Sequence, residues 1–267
     1  MSAQSSTPPR VSVVIPVRDD AVALRGCLAR LAAQSVPPLE IVVVDNGSTD
    51  RTSDVVRDAM GGPVPPHLVG CAEPGKGAAV RRGFLSGRSE MVGFMDADLA
   101  TPVETLDRVV PLLRGGATTV IASRDVDESH RAVPQGALRR LGGEVFRAAA
   151  RTVLPHVADS QCGFKFFRGA AVRESLRSLE VTGFSFDLEL LGRMHRAGHG
   201  IVELPVVWTD AAGSTFNPVR HGARAFADTV RIHRLLAELP RRPLTVDLRA
   251  TDGPVAQAEG LLVGAGR

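Results

Sequence analysis

Apolar and polar positions along the chain follow two rhythms. Val11–Val17 and Ile41–Val44 are near-continuous apolar runs, the pattern of strands buried on both faces of a parallel sheet. Between them Leu24, Leu28 and Leu31 recur at helical spacing. His67–Ala72, Met91–Met95 and Thr118–Ala122 predict further strands, separated by helices at Thr52–Met60, Gly77–Ser86 and Pro102–Leu113. In the last of these, Leu106, Val109, Val110 and Leu113 form an apolar stripe. Such alternation predicts an α/β fold, a single Rossmann-like, doubly wound and mostly parallel sheet whose ligands bind at the carboxyl ends of the strands.

The second half is less regular. Arg124–Gln135 reads as a polar, mobile loop, Leu138–Val153 as a helix, and Asp159–Phe167 as a loop with a short strand. A helix at Phe186–Ala197, a last strand at Ile201–Trp208 and a helix at Phe226–Leu239 complete the pattern. Residues 1–10 are polar and read as a disordered start; 240–267 read as a flexible tail punctuated by Pro and Gly. One domain, 11–239, with a C-terminal elaboration, is the expected organisation.

Composition narrows the class. The 267 residues are 44% apolar and 23% charged, ordinary for a globular protein, and the net charge of +3 gives no ground for nucleic-acid binding. Cys27, Cys71 and Cys162 lack CxxC spacing, which argues against a zinc site or disulfide framework and fits a reducing cytosol. No run approaches the ~18 apolar residues of a membrane span. A cytoplasmic protein, peripheral at most to the inner membrane face, is expected. Ile232, Leu235, Leu236 and Leu239 form a stripe among six nearby arginines, which suits either packing on the domain or contact with an anionic bilayer. The sequence does not specify an oligomeric state.

Three polar motifs sit at predicted strand ends. Asp96-Ala97-Asp98 follows the apolar run Met91–Met95. Two carboxylates this close repel and ionise cheaply only beside a positive partner, and hard oxygen ligands suit Mg²⁺ or Mn²⁺ with substrate phosphate oxygens. The competing reading is a solvated helix start capped through Thr101, Pro102 and Glu104. Asp45-Asn46-Gly47-Ser48-Thr49-Asp50 is either a turn leading into a helix or a carboxylate presented to a nucleobase. Glu73-Pro74-Gly75-Lys76-Gly77 opens a helix bearing Arg81 and Arg82, as a tight turn or as a pyrophosphate cradle. It lacks the Walker A spacing.

Taken together, in this order, these blocks resemble the family 2 glycosyltransferases of GT-A fold, with Val13-Val14-Ile15-Pro16-Val17-Arg18-Asp19-Asp20 matching their opening strand. Asp159-Ser160-Gln161-Cys162-Gly163-Phe164-Lys165, Phe186-Asp187-Leu188-Glu189 and Gly213-Ser214 extend the resemblance to polyprenyl-phosphate sugar synthases, especially dolichyl-phosphate glucosyltransferases. The resemblance implies a nucleotide-sugar-binding half, 11–123, and an acceptor half, 124–239. It places Pro16, Asp19, Asp45, Ser48, Lys76, Asp96 and Ala97 on the donor, and Asp98 with Asp96 on the metal. Arg124, Asp159, Gln161, Lys165 and Ser214 would meet acceptor or phosphate, while Asp187 and Glu189 would face the reacting carbon, Asp187 as the catalytic base for a hydroxyl acceptor. It further implies an inverting transfer of a hexose, glucose foremost, from a UDP-sugar to a polyprenyl phosphate.

Two departures keep alternatives open. The chain has no membrane segment, and Ala100 stands two residues after Asp98, where relatives can carry another ligand. A soluble small-molecule glycosyltransferase with a hydroxyl acceptor, and a catalytically silent nucleotide-sugar-binding protein, are the competing expectations.

Overall fold

A computed structural model describes residues 11–34, 37–126, 129–131, 147–209, 218–244 and 262–263. Strand and helix alternate through the first half: β1 (Val11–Val17), α1 (Ala21–Ala32), β2 (Glu40–Asp45), α2 (Thr52–Ala59), β3 (Pro66–Gly70), α3 (Lys76–Ser86), β4 (Met91–Met95), α4 (Leu106–Arg114) and β5 (Thr119–Ser123). The second half contributes β6 (His130–Arg131), a helix α5 with residues 147–153 described, β7 (Phe164–Arg168), α6 (Gly169–Arg177), α7 (Phe186–Arg196), β8 (Ile201–Pro205), β9 (Val207–Trp208), α8 (Pro218–Ala237) and β10 (Leu262–Val263).

Eight strands form one sheet in the order β10-β8-β5-β7-β4-β1-β2-β3, while β6 and β9 make a separate two-stranded sheet. Strands β1 to β5 and β8 share one direction; β7 runs against both β4 and β5, and β10 runs against β8. The doubly wound prediction holds, and its physical basis is visible in the side-chain alternation. Val13, Ile15 and Val43 enter a core with Leu24, Leu28 and Leu31 of α1 on one face, whereas Val14, Val42 and Val44 enter a second core with α3 and α7 on the other. A strand sends successive side chains to opposite faces, so a strand apolar at every position must be covered twice.

Several boundaries differ from the sequence pattern. The helix expected at Pro102–Leu113 starts as a 3-10 turn at Val103–Thr105. The strand expected at Ile201–Trp208 is cut after Pro205, and its outer piece leaves the main sheet to pair with β6. Helix α6 was not anticipated: Val172 and Leu176 supply a single i, i+4 apolar pair, too short a signal to stand out. In the tail expected to be flexible, Leu262–Val263 instead pairs with the edge of β8, whose backbone groups would otherwise lack partners. The helix stripe at the C-terminal side is spent on the domain itself: Ile232 and Leu236 are buried in the second core and Leu239 packs against it. Among the described residues no helix is long and apolar enough to cross a membrane.

Candidate active site

Parallel topology brings the ends of β1, β2, β4 and β5 to one edge of the sheet, and the reversed β7 begins at that same edge. The N-termini of α3 and α7 are stitched together there, since Gly77 N donates to Thr182 O at 2.8 Å, just before α7. Residues far apart in sequence therefore share one surface.

At the β1 and β2 ends, Asp19 adopts a positive φ of 53° and clasps the neighbouring turn. Its Oδ1 accepts from Thr49 N (2.6 Å) and Thr49 Oγ1 (3.0 Å), while its own N–H donates to Ser48 Oγ (3.0 Å). The hydrogen bonds from Thr49 lower the Asp19 pKa. Asp45 Oδ1 accepts from Ser48 N at 2.8 Å. Pro16 is half-buried beside this turn. Asn46, not singled out in the sequence, staples turn and lysine loop: its Nδ2 donates to Cys71 O and Glu73 O, and its Oδ1 accepts from Gly75 N.

Two ion pairs occupy the centre. Lys76 Nζ lies 2.6 Å from Asp96 Oδ1, and Lys165 Nζ lies 3.2 Å from Asp187 Oδ1. Both ammonium groups sit against the Phe94 ring, at 5.4 and 5.3 Å from its centroid. Burial disfavours charge on Lys76, but Asp96 and Asp187 outweigh it, so its pKa is raised. Burial, only partly offset by Lys165 and Lys76, raises the pKa of Asp187. Lys165 is fully buried and also donates to Cys162 O.

Asp98 Oδ1 accepts from Ala100 N at 3.0 Å across a tight turn in which Leu99 has φ 57°. Burial and then the neighbouring Asp96 push its pKa up. Such a carboxylate is short of positive charge, the condition a divalent cation relieves. Among the described residues no three His, Cys, Asp or Glu side chains converge. Asp98 and Asp96 are the two carboxylates that could hold a cation here, Asp96 being shared with Lys76, and the remaining positions would fall to water and substrate oxygens. That suits Mg²⁺ or Mn²⁺ and not a structural zinc site. Ala97 is buried in the core, and Ala100 O accepts from Thr209 N at 3.0 Å, so neither adds a side-chain ligand. Sequence reasoning also missed Gly163: Asp96 N donates to its carbonyl at 2.9 Å, and a Cβ there would meet Oδ1, Oδ2 and Cγ of Asp96 within 3.0 Å.

Two expectations change. Asp159, only 1% exposed, does not line the acceptor side: its two oxygens are filled by Arg124 N, Nε and Nη2 and by Gln161 N, at 2.6 to 3.1 Å. Burial opposes its charge, but Arg124 wins and holds the carboxyl well below the usual range. Asp159 thus fixes Arg124, which stacks on Trp208 at 5.4 Å, and Glu203 holds the loop below through Ala158 N and Asp159 N. Glu189 does not face a reacting carbon. Two residues after Asp187 on α7, it points to the opposite side, because each helical residue turns the chain by about 100°. It accepts from Glu180 N, Val181 N and Arg193 Nε. Ser214 lies outside the described residues, as do residues 132–146 of the half expected to hold the acceptor. Gln161 is half-buried beside Asp159.

The family model described as glycosyl transferase family 2 matches residues 12–176, which span β1 to α6 and carry both lysines and the acidic pair. The chain belongs to glycosyl transferase family 2. A dolichyl-phosphate beta-glucosyltransferase of Dictyostelium discoideum is 29% identical over 202 residues, covering 72% of this chain and 62% of the relative. Its namesake in Drosophila melanogaster is 30% identical over 243 residues, covering 81% and 72%. The chain spans about six tenths of the length of the Dictyostelium relative and of one from Trichomonas vaginalis. Among solved structures, glucosyl-3-phosphoglycerate synthase of Mycobacterium tuberculosis, in complex with Mn²⁺, UDP and glucosyl-3-phosphoglycerate, superposes with a TM-score of 0.61 at 20% identity, covering 87% of this chain and 81% of that one. The family 2 chain therefore has the GT-A fold.

Proposed function

We propose that this family 2 member is a metal-dependent, inverting hexosyltransferase that moves a hexose, glucose foremost, from a UDP-sugar to a polyprenyl phosphate. The observation that carries the reading is the Lys76–Asp96 pair beside Asp98 at the sheet edge, a cation and an acidic pair set where a nucleoside diphosphate can be gripped from two sides. The names of the relatives, dolichyl-phosphate beta-glucosyltransferases, support the sugar and the acceptor, and the UDP in the structural neighbour supports the base.

In this reading an acceptor oxygen forms a bond to the anomeric carbon as the bond from that carbon to the donor phosphate oxygen breaks, and the electron pair leaves with UDP. Residues 11–123 bind the donor, through Asp19, Asp45 and Ser48 toward base and ribose and Lys76 toward the diphosphate. Asp96 and Asp187 keep Lys76 charged, so its N–H groups stabilise the departing phosphate. A Mg²⁺ or Mn²⁺ ion held by Asp98 and Asp96 would supply Lewis-acid stabilisation of the same leaving group. On the acceptor side, in 124–239, a phosphate is already ionised at neutral pH and needs no base. Arg124, rigid on Asp159, and Lys165, paired with Asp187, are the cations on that side that would meet such an acceptor.

A second reading, transfer to a hydroxyl of a small molecule, draws on Asp187: burial raises its proton affinity, and its Oδ1 makes no hydrogen bond although Lys165 lies near. Incubation with UDP-glucose, GDP-mannose or dTDP-glucose plus polyprenyl phosphate and Mn²⁺ tests the proposal. Glycosyl-phospholipid formed with UDP-glucose is the expected product. Transfer with none of the donors, together with tight UDP binding, would leave a silent nucleotide-sugar binder instead.

A further inference from the structure

The end of α7 remote from Asp187 carries a second concentration of charge that the proposed transfer does not use. Helix α7 has eleven residues, so its C-terminus lies about 15 Å from Asp187. There His156, His195, Arg196, His233, Arg241 and Arg242 line a cavity of 240 Å³, and among the described residues no carboxylate lines it.

The cavity is built. Residues 240–244, after α8, fold back as a strap on the α7 terminus: Arg242 N donates to Arg196 O at 2.9 Å, and Arg196 Nη1 donates to Leu239 O at 3.2 Å. Gly198 has φ +88°, and a Cβ there would strike the Pro243 carbonyl, so the strap closes only over glycine. His195 and Arg196 are half-buried at the base, with the other four side chains exposed at the rim.

The charge balance is positive. Helices α5, α7 and α8 all end here, and each C-terminus contributes roughly −0.5 of an elementary charge. Three guanidinium groups exceed that sum by about 1.5 charges before any histidine is protonated. The excess is felt within the cluster: burial, then His156, Arg241 and Arg196, lower the pKa of His195, and burial, then Arg241, lower that of Arg196. A concave site with surplus positive charge and planar guanidinium donors matches phosphate oxygens. We infer that this cavity binds a phosphoryl-bearing anion, either a free phosphate compound or a phospholipid headgroup, at a site separate from the donor edge.

Calorimetric titration of the metal-free full chain with inorganic pyrophosphate tests the inference in four proteins: wild type, Lys76→Ala, Arg241→Gln/Arg242→Gln and His233→Gln. A binding event that persists in Lys76→Ala and weakens about tenfold or more in the double-arginine variant is expected, since charge-assisted hydrogen bonds are lost. His233→Gln, on the exposed side of α8, should weaken it too and serves if the arginine variant misfolds. Sedimentation with phosphatidylcholine vesicles, with and without phosphatidylglycerol, separates the sources. Arginine-dependent vesicle binding without pyrophosphate binding assigns a headgroup, and the converse assigns a free ligand. Wild type that binds neither, or variants that bind both as wild type does, would overturn it. Donor turnover unchanged in the arginine variant would show that its failure is independent of the proposed transferase reading.

Discussion

Replacing Gly163 with alanine tests the site through one methyl group. The added Cβ would meet three atoms of the Asp96 side chain within 3.0 Å, against an ordinary contact distance of about 3.5–4 Å. The backbone at Gly163 is not left-handed, so alanine fits the main chain, and the Asp96 carboxylate is what must yield. Moving it from 2.6 Å to about 4 Å from Lys76 costs about 2 kcal/mol at an effective dielectric constant of 20. Asp96 is 36% exposed, so water screens part of this, leaving about 1 kcal/mol or slightly more. Donor affinity, followed by UDP titration with Mn²⁺, should fall about 5- to 10-fold. The melting temperature should fall only a few degrees, because an off-rotamer carboxylate costs about 1 kcal/mol. Wild-type UDP affinity in a folded Gly163→Ala protein would refute the placement of Asp96 at the donor.

Other perturbations separate roles that look alike in sequence. Asp187→Asn should cut transfer to a hydroxyl acceptor by about 10²–10⁴-fold, while sparing transfer to a phosphate; turnover per folded molecule with each acceptor decides between them, since the variant also leaves Lys165 without its buried counter-ion. Glu189→Gln should instead cost about 1–3 kcal/mol of stability, read by urea unfolding, with turnover per folded molecule little changed, because its amide cannot accept from Glu180 N, Val181 N and Arg193 together. Arg124→Ala strands a buried carboxylate and should destabilise by about 3–5 kcal/mol, and removing Asp159 as well should recover part of that loss in a thermal melt. The Asp159 pKa is depressed in the folded state, so its stabilisation is complete above the unfolded value of about 3.9 and is lost as pH falls toward the folded one. Acid unfolding should therefore steepen below about pH 4, and Asp159→Asn should flatten that limb.

Much of the fold was legible because its signals are local. Val11–Val17, Ile41–Val44 and Met91–Met95 are apolar at nearly every position, which only a strand covered on both faces tolerates, and they form β1, β2 and β4 as read. The strand order, with β7 reversed between β4 and β5, was not legible, since pairing depends on residues far apart in the chain. The same reversal sets Lys165 opposite Phe94 and so beside the donor edge. At the site, the acidic pair and Lys76 stood out in sequence by residue type and by position at a predicted strand end and helix start, and Asp187 through the family resemblance. Which of them meet was decided in three dimensions. Asp187 and Glu189 are near neighbours in sequence and face opposite ways on one helix; Arg124 and Asp159 are 35 residues apart and share a bidentate bond. Residue type sets what chemistry a chain can perform, because pKa, charge and hydrogen-bonding capacity belong to the side chain. Burial and distance decide which side chains are free to perform it, and both arise only when remote segments pack.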